Sequence, residues 1–451
     1  AWEDRANNDF ESYGVIARAE ADIPGLEIAS VSIDTYYRDQ GVAGLGSFQS
    51  ESARYKRNRR IGHLKIESKP VLSNNFILSG TAFYSNTTEQ FSDPDGTVSL
   101  YRIDSDNTIS AYGGIASLRW FGPLRPLSLD CVFDGRTDQF APDNKLNDSY
   151  GPERWRRSRT FAVSGELYLL HQTLVLSAAQ RWQKHVNEFW DEAPFPWLPP
   201  TPQGEVTGEN RSPSTGFRWT PATPVTIKGN VGRYYRLPTF LEMFGNLGSV
   251  TGNARLEPET GINRDIGVII NTPRIGTVAR MFFEAVYLDN EVENLILFFP
   301  NSQHTTKPAN IGSARIRGWE LSAAASFGAR LQLAANYTRL ETEDTSDIPY
   351  YYGNQLASRP ADDFMVTGSY RFDRLKLTWE THRIGSYYLD RANMQPVEAR
   401  SLHNALVQFL LPMPGLTFNI EGRNLTNNQI ADVSGFPLPG RSFYVTLGLK
   451  R

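Results

Sequence analysis

Stretches that alternate apolar with polar residues recur along the whole chain, and the connections between them are by turns short and long. Alternation with a period of two marks a half-buried β-strand, because successive side chains point to opposite faces. The two-beat rhythm of connections narrows the choice to an antiparallel transmembrane β-barrel, which has tight turns at one rim and large loops at the other. The pair 401–411 and 416–424, joined by Pro412-Met413-Pro414-Gly415, shows the pattern: Leu416, Phe418 and Ile420 share one face, Thr417, Asn419 and Glu421 the other. One face suits lipid and the other suits water. A soluble β-sandwich has the same period, but nothing in it sorts loops by parity.

Strands are expected over 9–21, 26–37, 54–68, 75–86, 108–121, 127–138, 159–170, 173–184, 210–220, 225–236, 261–271, 277–289, 311–327, 330–340, 362–371, 375–387, 401–411, 416–424 and 440–450. In two of them the faces are plain. Leu331, Leu333, Ala335 and Tyr337 oppose Gln332, Asn336 and Thr338, while Leu375, Leu377 and Trp379 oppose Lys376, Thr378, Glu380 and His382. A charge facing lipid at mid-bilayer costs roughly 2 to 4 kcal/mol, so the polar sets are expected to line a wet lumen. The count of about 19 strands is odd, whereas single-chain bacterial barrels have an even number. If the short turns lie at the periplasmic rim, the first strand starts outside and the last ends inside. An odd number of strands is therefore expected to be missing from the front.

Composition removes other classes. With 46 basic against 49 acidic residues the net charge is −3, which does not suit a nucleic-acid binder. No run of about 18 apolar residues is present to make a membrane helix. The single Cys131 has no disulfide partner and is read as a small strand residue, and the six histidines show no metal-ligand spacing. No nucleophile motif is present, and the sequence gives no reason to bring Glu242 and Glu259 within reach of each other as a catalytic pair. Neither enzymatic activity nor a cofactor is expected. Aromatic residues make up 12% of the chain, enough for interface girdles and for ligand contacts on loops.

Four ordered blocks then carry a resemblance. The first is Arg236-Leu237-Pro238-Thr239-Phe240-Leu241-Glu242-Met243-Phe244-Gly245, continued by Gly252-Asn253-Ala254-Arg255-Leu256-Glu257-Pro258-Glu259-Thr260. The others are Asn310 to Glu320 with Gly318, Asn424-Leu425-Thr426-Asn427, and Phe436-Pro437-Leu438-Pro439-Gly440-Arg441-Ser442-Phe443. Together they resemble the TonB-dependent outer-membrane receptors. Physically, Pro258 makes the residue before it extended, and Pro439-Gly440 bends the chain into its last strand. The motif residues Pro238, Glu242, Asn253, Pro258, Glu259, Gly318, Glu320, Asn424, Leu425, Pro439, Gly440 and Arg441 are thus read as structural.

The resemblance implies a barrel of about 22 strands in the bacterial outer membrane, with a plug ahead of it. Residues 1–451 then form the barrel portion, with plug and first strands absent. It also implies a monomeric active transporter driven by the TonB–ExbB–ExbD complex, importing a scarce nutrient, foremost a ferric siderophore. Cobalamin, a glycan, or passive diffusion as a porin are the alternatives. The ending Leu449-Lys450-Arg451 departs from the family's terminal aromatic.

Candidate ligand residues sit on the long connections, where binding groups ride on a rigid scaffold. Trp190, Phe195 and Trp197 lie among prolines; Tyr350, Tyr351 and Tyr352 share another loop, with Phe298 and Phe299 in a third. Two basic clusters lie near loop-side strand ends: Arg54, Lys56, Arg57, Arg59 and Arg60, and Arg154, Arg156 and Arg157. Alternation splits the first of them between lumen and exterior; outward members are offered to lipopolysaccharide phosphates and inward ones to an anionic ferric chelate.

Overall fold

The computed structural model describes residues 6–45, 48–99, 101–123, 126–146, 149–150, 153–190, 202–245, 250–300, 306–428, 431–433, 436–437 and 439–449. Nineteen long strands form one antiparallel sheet in which each pairs with its neighbours in sequence. They are β1 (Phe10–Glu20), β2 (Leu26–Gly41), β3 (Arg54–Ser68), β4 (Phe76–Asp93), β5 (Ile103–Phe121), β6 (Leu127–Asn144), β7 (Arg154–Leu169), β8 (Leu174–Trp190), β9 (Pro202–Ala222) and β10 (Val225–Arg236). There follow β11 (Glu259–Thr272), β12 (Val278–Glu293), β13 (Ser313–Phe327), β14 (Leu331–Asp344), β15 (Asp362–Phe372), β16 (Leu375–Ile384), β17 (Arg400–Leu410), β18 (Leu416–Arg423) and β19 (Ser442–Leu449). The expected order and hairpin pairing stand.

The strand ends are less well anticipated. Strand β4 runs to Asp93 where alternation stops at 86, β5 starts at Ile103 rather than 108, and β9 starts at Pro202 rather than 210. All three extensions lie on the loop side. Above the bilayer both faces are wet, so the hydrophobic pattern fades while the backbone ladder continues. In the opposite sense, β16 stops at Ile384, and Tyr387–Tyr388 instead pairs with Pro396–Val397 in a loop ribbon.

Register carries one apolar face across the whole sheet. Val31 opposes Leu64, Leu78 opposes Leu118, Leu377 opposes Val407, and Phe418 opposes Leu447. Cys131 sits in this band between Leu118 and Val163, as a small strand residue. Aromatic pairs punctuate it, with Tyr287 and Trp319 ring centroids 5.1 Å apart. Because lipid is the only partner such a surface has, these rows mark the outer wall. The opposite face is polar, with ion pairs such as Lys228 with Glu284 at 2.6 Å and His382 with Asp363 at 3.0 Å. Glu320 lies on that inner wall, lining the same hollow as Lys228 and Glu284. Gly318 opposes Leu340 where the strands run close, and a Cβ there would stand 2.0 Å from the Arg339 carbonyl oxygen.

Among the described residues no ladder joins β1 to β19.

Candidate ligand site on the loop side

The longest connection, 237–258, begins as an ordered element. Helix α1 (Phe240–Phe244) starts at Thr239, whose side chain caps the Glu242 amide while the Glu242 carboxylate accepts from the Thr239 amide at 2.7 Å. This reciprocal capping box satisfies two backbone donors at once. The helix ends at Gly245 with φ 72°, and a Cβ there would lie 2.2 Å from the Val250 carbonyl oxygen, so the loop closes only over glycine.

Arg236 ties this helix to the wall. Its guanidinium donates to Glu259 at 2.6 and 2.7 Å and to Glu242 at 3.1 Å, and both carboxylates are buried. Here the structure corrects the sequence reading, in which nothing brought Glu242 and Glu259 together. Both meet one guanidinium, whose single positive charge offsets part of theirs and which fastens the loop to the wall. Asn253 continues the loop's fold, donating from its amide to Glu242 O at 2.9 Å and from its side chain to Pro308 O at 3.0 Å. Asn310 bonds both the amide and the carbonyl of Glu257, so the loop lies against the next one as Pro258 leads into β11.

The three neighbouring arginines divide by parity. Arg156 is buried and donates to Asn187 at 2.7 Å and to Pro238 O at 2.8 Å, with its guanidinium 5.2 Å from the Phe240 ring centroid. Arg154, also buried, stacks 4.3 Å from the Phe244 centroid. Phe140 packs on both phenylalanines. Both arginines thus hold α1 down, whereas Arg157 is exposed and pairs with Glu188 at 3.1 Å.

A second ordered body is built around Arg391. It donates to Asp344 at 2.6 Å, to Ser346 at 2.7 Å and to Ile311 O at 2.8 Å, and its guanidinium lies 4.2 Å from the Tyr351 ring centroid. One side chain so joins three separate loops. Beneath it, Val292, Ile311, Ala314 and Leu356 form a small apolar core against which Phe299 packs. Asp344 belongs to this loop body above the membrane band: burial by itself raises its pKa, but hydrogen bonds from Arg391 and Ser346 outweigh that and hold the carboxyl below its ordinary value.

On this fixed base the tyrosines present themselves. Tyr350 and Tyr352 are 65% and 62% exposed, Tyr351 is held under Arg391, and Met394 and Ile348 add exposed apolar surface. Trp190 is the last residue of β8, while Phe195 and Trp197 lie outside the described residues. No sequence signal marked Arg391: it is a lone basic residue in a loop, and its three partners come from distant segments.

The closing motif is also structural in detail. Asn424 adopts φ 48° and bonds Asn428 in both directions, then Pro439 O at 3.2 Å. The Leu425 amide donates to His403 O, and the Arg441 amide to Asn427, which ties the residues around Pro439 and Gly440 to the wall before β19 begins.

A lipid-girdled antiparallel wall with a polar inner face and folded loops at one rim defines the class of outer-membrane receptor barrels. Residues 4–425 match the family described as TonB dependent receptor-like, beta-barrel. This chain belongs to the TonB-dependent receptor family, and it resides in the bacterial outer membrane. Its fold is similar to that of the copper transporter OprC, with a TM-score of 0.80 at 13% identity over 98% of this chain and 72% of that one. The siderophore receptor PiuA from Acinetobacter baumannii gives 0.79 at 14% identity, covering 99% and 76%. The unliganded ferric citrate transporter FecA gives 0.79 at 12% identity, covering 99% and 71%. No curated protein sequence matches this chain. The family is one of receptors and transporters, not of enzymes.

Proposed function

We propose that this protein is an active importer that captures a ferric siderophore on its outer loops and passes it inward with energy from the TonB–ExbB–ExbD complex. The observation that carries this reading is the pair of exposed rings, Tyr350 and Tyr352, on a loop body locked by Arg391. Rings held in place bind a flat chelate without a large ordering cost. The names of PiuA and FecA agree, and those of the copper transporter and of a haem-linked receptor from Serratia marcescens widen the range of cargo to test. As a domain reading, residues 1–451 form the wall, and a plug with about three further strands completes a 22-strand ring; the odd number of long strands among the described residues is what supports this.

Titrating the full-length receptor with ferric catecholate, ferric citrate, cobalamin and haem, followed by intrinsic fluorescence, tests the cargo. Saturable binding of a ferric siderophore is expected. Y350A/Y352A is expected to weaken it roughly tenfold, at about 0.5 to 1.5 kcal/mol per stacked ring. Unchanged affinity in that variant would remove the tyrosines from the site.

A further inference from the structure

The outer wall carries two adjoining hollows that share Phe133. One, of about 320 Å³, is apolar: Leu64 and Ile66 border a floor of Gly80, Ala82, Gly114 and Ala116. The other, of about 280 Å³, is cationic: Arg159, Lys184 and Arg211 rim it above the stacked rings of Phe161 and Trp182, whose centroids are 5.8 Å apart.

Register places these groups on the lipid side. Phe133 opposes Phe161, which opposes Trp182, which opposes Arg211, and Arg159 opposes Lys184 one step nearer the loops. Height follows from the strand geometry. The cations stand about ten residues above the turn-side ends Leu169, Leu174 and Ala222; at about 3.3 Å per residue and a tilt of about 40° this is roughly 25 Å, the height of the apolar band. Gly80 and Gly114 stand about four and seven residues above Phe76 and Phe121, at mid-bilayer depth by the same geometry. A cationic pocket at the outer headgroup level thus opens into an apolar groove beneath it.

Its charge is only partly offset, because the one carboxylate lining it is that of Glu209. Glu209 meets Lys184 at 3.5 Å, but among the described residues Arg159 and Arg211 have no carboxylate partner. The more crowded cluster on β3 is different: Arg54 and Lys56 pair with Asp39, Arg57 with Glu89, and Arg59 with Asp34.

We propose that this composite site binds a phosphorylated lipid of the outer leaflet, with its phosphate on Arg159, Lys184 and Arg211 and an acyl chain in the groove floored by Gly80 and Gly114. Strong guanidinium–phosphate hydrogen bonds fix the head, and the small residues leave room for the chain.

Native mass spectrometry of the full-length receptor in detergent tests this with three probes: bisphosphorylated lipid A, its dephosphorylated form and inorganic phosphate. Lipid A is expected to be retained, and the dephosphorylated form at least about tenfold less. R159Q/R211Q is expected to lose retention of lipid A by a similar factor, while A116F, which fills the groove, weakens it with the cations intact. Equal retention of both lipid forms by the wild type would overturn the proposal, whatever the folding of the variants. So would inorganic phosphate displacing lipid A completely, which would leave only a free-phosphate site.

Discussion

Replacing Arg236 with alanine is expected to unfasten the 237–258 loop from the barrel wall. The side chain is the shared partner of Glu242 and Glu259, which are only 7% and 6% exposed. Removing it leaves two buried carboxylates in proximity without a counter-charge, and breaking a buried ion pair in this way costs about 3 to 5 kcal/mol. Arg236 itself reaches solvent, so the lower end of that range applies. A shift near 3 kcal/mol raises the open population of the loop roughly a hundredfold. Limited proteolysis of the full-length receptor reads this directly, with cleavage expected after Arg255 in R236A and not in the wild type. The double variant E242Q/E259Q is expected to be milder, because it removes the stranded charges. Equal resistance of R236A and wild type would show that Arg156 and the aromatic packing suffice alone.

Arg391→Ala is the second large effect. Asp344 is 1% exposed and its carboxylate depends on Arg391 and Ser346. Truncation strands this carboxylate and frees Ile311 O and the Tyr351 ring, separating three loops that one side chain had joined. A loss of about 3 kcal/mol in loop stability is expected, seen as faster hydrogen exchange in 345–356 and 386–395 with the wall strands unchanged. Ligand affinity should fall with it, since Tyr350 and Tyr352 would then have to be ordered on binding. Unchanged exchange would mean that the apolar core around Leu356 holds the loops by itself.

The sequence was most legible where the bilayer enforces its grammar. Strands β3 and β10 have the expected bounds because lipid on one side and water on the other leave no freedom in the pattern. Where β4, β5 and β9 rise above the membrane, that constraint vanishes and the pattern no longer marks the ends. The loop site was legible only in part. The expected strand began at 159, so nothing in the sequence sorted inward Arg154 and Arg156 from outward Arg157 or showed what the inward pair would meet, since helix α1 arrives from a distant loop. Convergence of Glu242 with Glu259 depends on the reversal at Gly245 and Gly252, and the role of Arg391 depends on three loops packing together. These are long-range facts that local spacing does not encode.

Uptake of radioactive iron as its siderophore chelate, by cells carrying the full-length receptor, tests the central claim most directly. Accumulation should be saturable, and it should cease when a protonophore collapses the proton-motive force while surface binding of the chelate persists. Uptake that continues unchanged without the proton-motive force would contradict an energised importer and indicate passive diffusion.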